Sequence, residues 1–83
     1  MAGRVLTGQE QLTPGWVQVI DDRVAQVGAG DPPRLPDDSY PALILAPGFV
    51  DTHVHGGGGA SFSTDRAEEA LQVTRSHLRH GTT

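Results

Sequence analysis

The sequence predicts an α/β fold in which β-strands come first and a strand followed by a helix comes after. Three observations predict it. Two runs rich in β-branched residues, 16–20 and 23–27, flank Asp21 and Asp22 at hairpin spacing. An extended-type run, 49–55, leads into four consecutive glycines. A helical repeat then occupies residues 65–80 and stops at Gly81.

Residues 4–6 read as a short first strand. Residues 7–15 hold two glycines and Pro14 among polar residues and read as a loop. The hairpin follows, with Val17 and Val19 on one face and Gly28 as its end. Residues 30–41 contain four prolines and three aspartates, so a surface loop is expected there. Residues 43–46 resume an apolar strand, and Pro47-Gly48 signals a turn. The boundary between an N-terminal strand region (1–46) and a strand–helix unit (47–83) falls at that turn. In the helix, Thr64 or Asp65 is the expected N-cap, and with Asp65 as cap Glu68 completes a capping box. Ala67, Ala70, Leu71, Thr74 and Leu78 define the expected buried stripe. Arg75, Arg79 and His80 favour the negative end of the helix dipole. The sequence halts where a second, parallel strand is due, which makes these residues the expected front of a longer protein.

Composition narrows the function classes. The 83 residues include 36% hydrophobic residues, 11 glycines and 6 prolines, which is little material for one core. There is no cysteine, so no disulfide, thiolate ligand or cysteine nucleophile. The formal charge is −4 and no basic cluster exists, which argues against nucleic acid or an anionic membrane as partner. No run approaches the ~20 apolar residues of a membrane span. A cytoplasmic protein is the default expectation.

The chemistry concentrates at the end of the extended run. In a strand, residues i and i+2 share a face, so His53 and His55 project together while Val54 points into packing. Two adjacent imidazoles suit one divalent cation. Gly56, Gly57, Gly58 and Gly59 follow as a candidate loop on the substrate side, with no side chains to cover the site. Asp51 lies on the face of the two histidines and reads as a buried carboxylate that orients the backbone or an imidazole. A helix over 65–80 spans roughly 22 Å and runs back from the histidine pair. His77 and His80 are therefore expected at the far side, as part of a helix stripe and as a terminal residue.

The string Pro-Gly-Phe-Val-Asp-Thr-His-Val-His, residues 47–55, resembles the first barrel strand of the amidohydrolase superfamily. The longer string from His53 to Ala60, and the ending His-Leu-Arg-His-Gly-Thr-Thr at 77–83, resemble within it the N-acetylglucosamine-6-phosphate deacetylase family. The resemblance covers residues 47–83 well and the hairpin of 16–27 more loosely. It implies that residues 1–46 are strands of a small β-sandwich built from both chain ends. It implies that 47–83 form the first strand and helix of a (β/α)8 metal-dependent hydrolase barrel, an incomplete fragment of it.

The implied reaction removes acetyl from N-acetylglucosamine 6-phosphate, giving glucosamine 6-phosphate and acetate. His53 and His55 match the first-strand ligand pair for a divalent metal ion, zinc or iron. The remaining ligands and the aspartate acid/base are expected from later strands, so no catalytic residue is expected in this segment. An amino-sugar phosphate substrate and a homo-oligomeric full-length protein are likewise implied. Two alternatives stay open: another amidohydrolase, acting on a cyclic amide or as a deaminase, or a small non-catalytic metal-binding or structural protein if the chain ends at Thr83.

Overall fold

The computed structural model describes every residue from Met1 to Thr83. It comprises two compact units, Met1–Pro47 and Gly48–Thr83.

The first unit is a mixed sheet gathered on β1 (Ala2–Leu6). Val5 pairs with both Leu12 and Leu45, and Ala2 with both Gly15 and Tyr40. β5 (Tyr40–Leu45) therefore takes one edge of β1 in parallel, and β2 (Gln11–Leu12) and β3 (Gly15–Ile20) share the other edge, antiparallel. An irregularity between Ala2 and Arg4 in the β1–β5 ladder breaks strict alternation, so Ala2 and Val5, three apart, are the buried side chains of this unit. Gly15 sits where the chain crosses Val5: a Cβ there would lie 2.8 Å from the Val5 Cγ2.

β3 pairs with β4 (Arg23–Ala29) along its whole length, and the turn passes through Asp21, whose φ is 55°. An aspartate tolerates that left-handed backbone better than most residues. The Asp-Asp hairpin is therefore as expected, with one bulge between Gln18 and Val19. Two expectations change. Residues 7–15 are not all loop, because Gln11 and Leu12 add a short strand to β1. The strand expected at 43–46 begins three residues earlier and includes Pro41. Proline is tolerated there because β5 pairs on one side alone. The sheet leaves an open apolar trough lined by Leu6, Val17, Val19, Val24, Val27 and Ile44.

In the second unit, Phe49 and Thr82 form a parallel bridge. The Phe49 N–H donates to the Gly81 carbonyl at 2.7 Å, and the Thr83 N–H donates to the Phe49 carbonyl at 2.9 Å. The expected strand over 49–55 is reduced to this bridge. The reason is partners: an extended segment counts as a strand only where a neighbour answers its backbone groups, and here the parallel partner answers Phe49 alone, through the Gly81 carbonyl and the Thr83 N–H. Thr82 and Thr83 stand where a second parallel strand was expected to begin.

A tight antiparallel hairpin follows, β6 (Gly56–Gly57) with β7 (Ala60–Ser61). Gly58 and Gly59 make its turn with φ of 61° and 82°. Two successive positive φ values are the signature of the tight hairpin turns that favour glycine. The four glycines are thus a built turn rather than an open loop.

The helix α1 runs Ala67–Leu78, shorter than the expected 65–80. Arg66, with φ −100° and ψ 114°, is the N-cap and its side chain makes no capping bond. The expected Asp65 capping box does not form. Thr64 instead accepts the Arg66 N–H on its hydroxyl at 3.1 Å, a local turn that holds residues 64–66 outside the helix. The C-terminus behaves as expected. Gly81 has φ 92°, its N–H returns to the Leu78 carbonyl, and the Thr82 N–H returns to the His77 carbonyl, the paired bonds of a Schellman end.

The buried face of α1 also differs from expectation. Val73 is fully buried, with Ala70, Ser76 and His77 half-buried beside it. Leu71 and Leu78, members of the expected stripe, are 51% and 60% exposed. At about 100° per residue, Val73 lies roughly 160° round the helix from Leu71, on nearly the opposite side. The glycine hairpin packs on that opposite side, against Gln72, Ser76 and His77.

Ala2, Val5 and Val73 are the buried hydrophobic residues, while Leu35, Val50 and Phe49 are 91%, 80% and 71% exposed. Burial on this scale does not offset the conformational entropy of ordering the chain, about 1–2 kcal/mol per residue for the backbone alone. The 83 residues expressed alone should therefore show no cooperative thermal transition by calorimetry and should bind a hydrophobic dye. A sharp two-state transition in a monomeric sample would contradict this.

Candidate metal centre

The segment from Asp51 to His55 is exposed except for half-buried Val54. Asp51 accepts the His53 N–H on Oδ1 at 3.0 Å. This short loop-like bond fixes the backbone two residues on. Asp51 is exposed, not buried as expected, and its partner is backbone rather than imidazole. An exposed carboxylate keeps its hydration and needs no buried partner.

His53 and His55 come together. Their Nε2 atoms lie 2.8 Å apart, with ring centroids at 4.9 Å and ring planes 36° apart. Without a cation, one nitrogen donates its proton to the other's lone pair. A zinc ion bonds imidazole nitrogen at about 2.0–2.1 Å, so one ion can reach both nitrogens at this spacing. The donor set fits a metal of the zinc or iron type, since neutral imidazole suits both. It supplies two ligands, and no group of three or more His, Cys, Asp or Glu side chains is poised to hold an ion.

The residues after His55 are anchored in detail. The His55 carbonyl accepts the Phe62 N–H at 2.8 Å and the Ser61 hydroxyl at 3.3 Å. The Gly56 carbonyl lies 2.9 Å from His77 Nε2. A carbonyl only accepts, so Nε2 carries the hydrogen and donates. Gln72 Nε2 donates to the Gly58 carbonyl at 2.6 Å.

His77 is thus not at the far side, contrary to the sequence expectation. The hairpin folds back over α1 and reaches the helix residue that the helix length alone had placed remotely. Sequence reasoning missed it because a glycine run reads as open loop. The signal available was the pair of tight-turn glycines, which implies that the hairpin returns on itself. His80 keeps its expected terminal role: its Nδ1 donates to the Ser76 carbonyl at 2.8 Å, in the last turn of α1.

No protein-family model matches the chain. Its sequence is 32% identical over 83 residues to the N-acetylglucosamine-6-phosphate deacetylase of Bacillus subtilis (strain 168), covering 95% of this chain and 21% of that protein. Its fold matches the crystal structure of N-acetyl-D-glucosamine-6-phosphate deacetylase from Mycobacterium smegmatis with a TM-score of 0.96 at 49% identity, over 99% of this chain and 23% of that one. A mutant of the Mycobacterium smegmatis enzyme in complex with N-acetyl-D-glucosamine-6-phosphate matches at 0.89 and 47%, over 99% and 22%. The chain spans about a fifth of the length of these relatives. In sequence and in fold alike, this chain is similar to one part of N-acetylglucosamine-6-phosphate deacetylases.

Proposed function

We propose that these residues are the N-terminal part of a metal-dependent deacetylase that hydrolyses the amide of N-acetylglucosamine 6-phosphate. The observation that carries the proposal is the approach of the His53 and His55 Nε2 atoms to 2.8 Å, in a chain that matches such deacetylases over nearly its full length. The products are glucosamine 6-phosphate and acetate, with water supplying the hydroxyl of acetate and a proton to the amine. The complex of the Mycobacterium smegmatis protein with N-acetyl-D-glucosamine-6-phosphate supports an amino-sugar phosphate substrate here.

In this reading residues 1–46 contribute to a β-sandwich and 47–83 open a (β/α)8 barrel. The parallel bridge of Phe49 with Thr82 across α1 supports the second part, since barrel strands are parallel with a helix between them. His53 and His55 hold a divalent metal ion. When bound, such an ion polarises an amide carbonyl and makes water a better nucleophile near neutral pH.

This chain's residues prepare that place. Asp51 fixes the backbone of His53, and the two donors on the His55 carbonyl fix the exit of the pair. Gly56 to Gly59 leave the substrate side low. The acid/base aspartate and further ligands lie outside these residues. The reading carries with it a cytoplasmic homo-oligomer. No helix is long and apolar enough to cross a membrane.

Two outcomes test the proposal. The longer protein should release acetate from N-acetylglucosamine 6-phosphate, whereas residues 1–83 alone should show no turnover, because catalytic zinc sites use three protein ligands as a rule. Failure of the longer protein to act on that substrate would contradict the assignment. Next, His53→Ala and His55→Ala in the longer protein should each lower metal stoichiometry and kcat/KM by at least about 10-fold, while His80→Ala leaves metal content unchanged. Elemental analysis reads the metal, and full metal content in both strand variants would remove the pair from the site.

A further inference from the structure

The glycine hairpin beside the histidine pair has two side-chain tethers to α1. Both donate from the helix into hairpin carbonyls: His77 to Gly56 and Gln72 to Gly58. They differ in what they control. The Gly58 carbonyl belongs to the turn, three residues beyond His55. The Gly56 carbonyl belongs to the residue directly after His55, so holding it restrains the Gly56 backbone next to the peptide that joins His55.

The contact is close as well as polar. A Cβ on Gly57 would lie 2.7 Å from His77 Nε2, so the imidazole packs against bare backbone. His77 is half-buried and its bond to Gly56 is part-buried, which shields the bond from competing water. Glycines are the residues with the most backbone freedom to lose. The Phe62 N–H and the Ser61 hydroxyl hold the His55 carbonyl itself, and the His77 bond adds a hold on the next carbonyl, at a glycine that would otherwise turn freely. No other helix side chain hydrogen-bonds the backbone within one residue of His55.

We infer that His77 is a positioning residue for the metal pair: its Nε2–H holds the Gly56 carbonyl and thereby sets the place of the His55 imidazole. The inference rests on the reading of His53 and His55 as metal ligands. His77 itself does not coordinate; it acts through one peptide unit. Its removal should loosen His55 with little effect on substrate binding, so metal affinity and kcat fall while KM holds.

The test uses the longer protein, loaded with zinc. His77→Leu fills the space without a donor, and His77→Gln offers an amide N–H in its place. Zinc affinity is measured by competition with a chromophoric chelator, beside kcat and KM, with His55→Ala as reference. His77→Leu should weaken zinc affinity about 10-fold, at the lower end of the effect of residues that orient metal ligands, and His77→Gln should return to within about 3-fold of wild type. His77→Leu with wild-type zinc affinity, while His55→Ala loses zinc, would overturn the inference and leave the metal reading standing. Equal impairment in both His77 variants would also overturn it, because packing and not the donated hydrogen would then be the cause. Unchanged zinc affinity in His55→Ala would overturn the metal reading and this inference with it.

Discussion

The second unit depends on how closely the glycine hairpin lies on α1. A side chain at Gly57 would collide with His77 and one at Gly58 with Ser76, both on α1, whereas at Gly56 the obstacle is the Ala60 carbonyl across the hairpin. Because Gly57 and Gly58 lack a Cβ, the hairpin backbone can settle on the helix. That contact accounts for the full burial of Val73. It also brings the hairpin carbonyls within reach of Gln72 and His77. The segment before the hairpin then has its far end fixed, and its near end is fixed by the Phe49 bridge to Thr82. His53 and His55 stand between two anchored points.

This arrangement explains how an exposed pair can be preorganised. Solvated imidazoles cost little to place near one another, but an unanchored strand end would spread their positions. Hydrogen bonds to backbone restrict that spread: Asp51 acts on His53, and Phe62 and Ser61 act on the carbonyl of His55. Each such bond contributes modestly, about 0.5–1.5 kcal/mol net. Their common effect is geometric, because every one of them lies within two residues of an imidazole. The exposed face of Leu71 and Leu78 and the open trough beside Val17 and Val24 mark how much apolar surface these residues leave uncovered.

Much of this was legible in the sequence because it follows from local rules. Residues i and i+2 share a side in extended chain, which brings His53 beside His55. The Asp-Asp turn declared the hairpin, and Gly81 declared the helix stop. Most of the misreadings share a cause, a deciding partner distant in sequence, and the N-cap alone was decided locally. The α1 face that is buried was set by the glycine hairpin, not by the largest apolar residues, so Val73 displaced Leu71. His77 was placed by helix length, and a contact across 21 residues overrode that length. The N-cap shifted to Arg66 because the Thr64 hydroxyl competed for its N–H. The parallel seat of β5 beside β1 had no local signal, since direction of pairing is a property of topology.

The proposed function requires that His53 and His55 jointly hold a divalent metal ion. Anomalous X-ray diffraction from crystals of the longer protein grown with zinc tests it most directly. An anomalous peak about 2.0–2.1 Å from the Nε2 atoms of both residues is the expected result. Zinc held elsewhere, with the two nitrogens still 2.8 Å apart and hydrogen-bonded to each other, would contradict it.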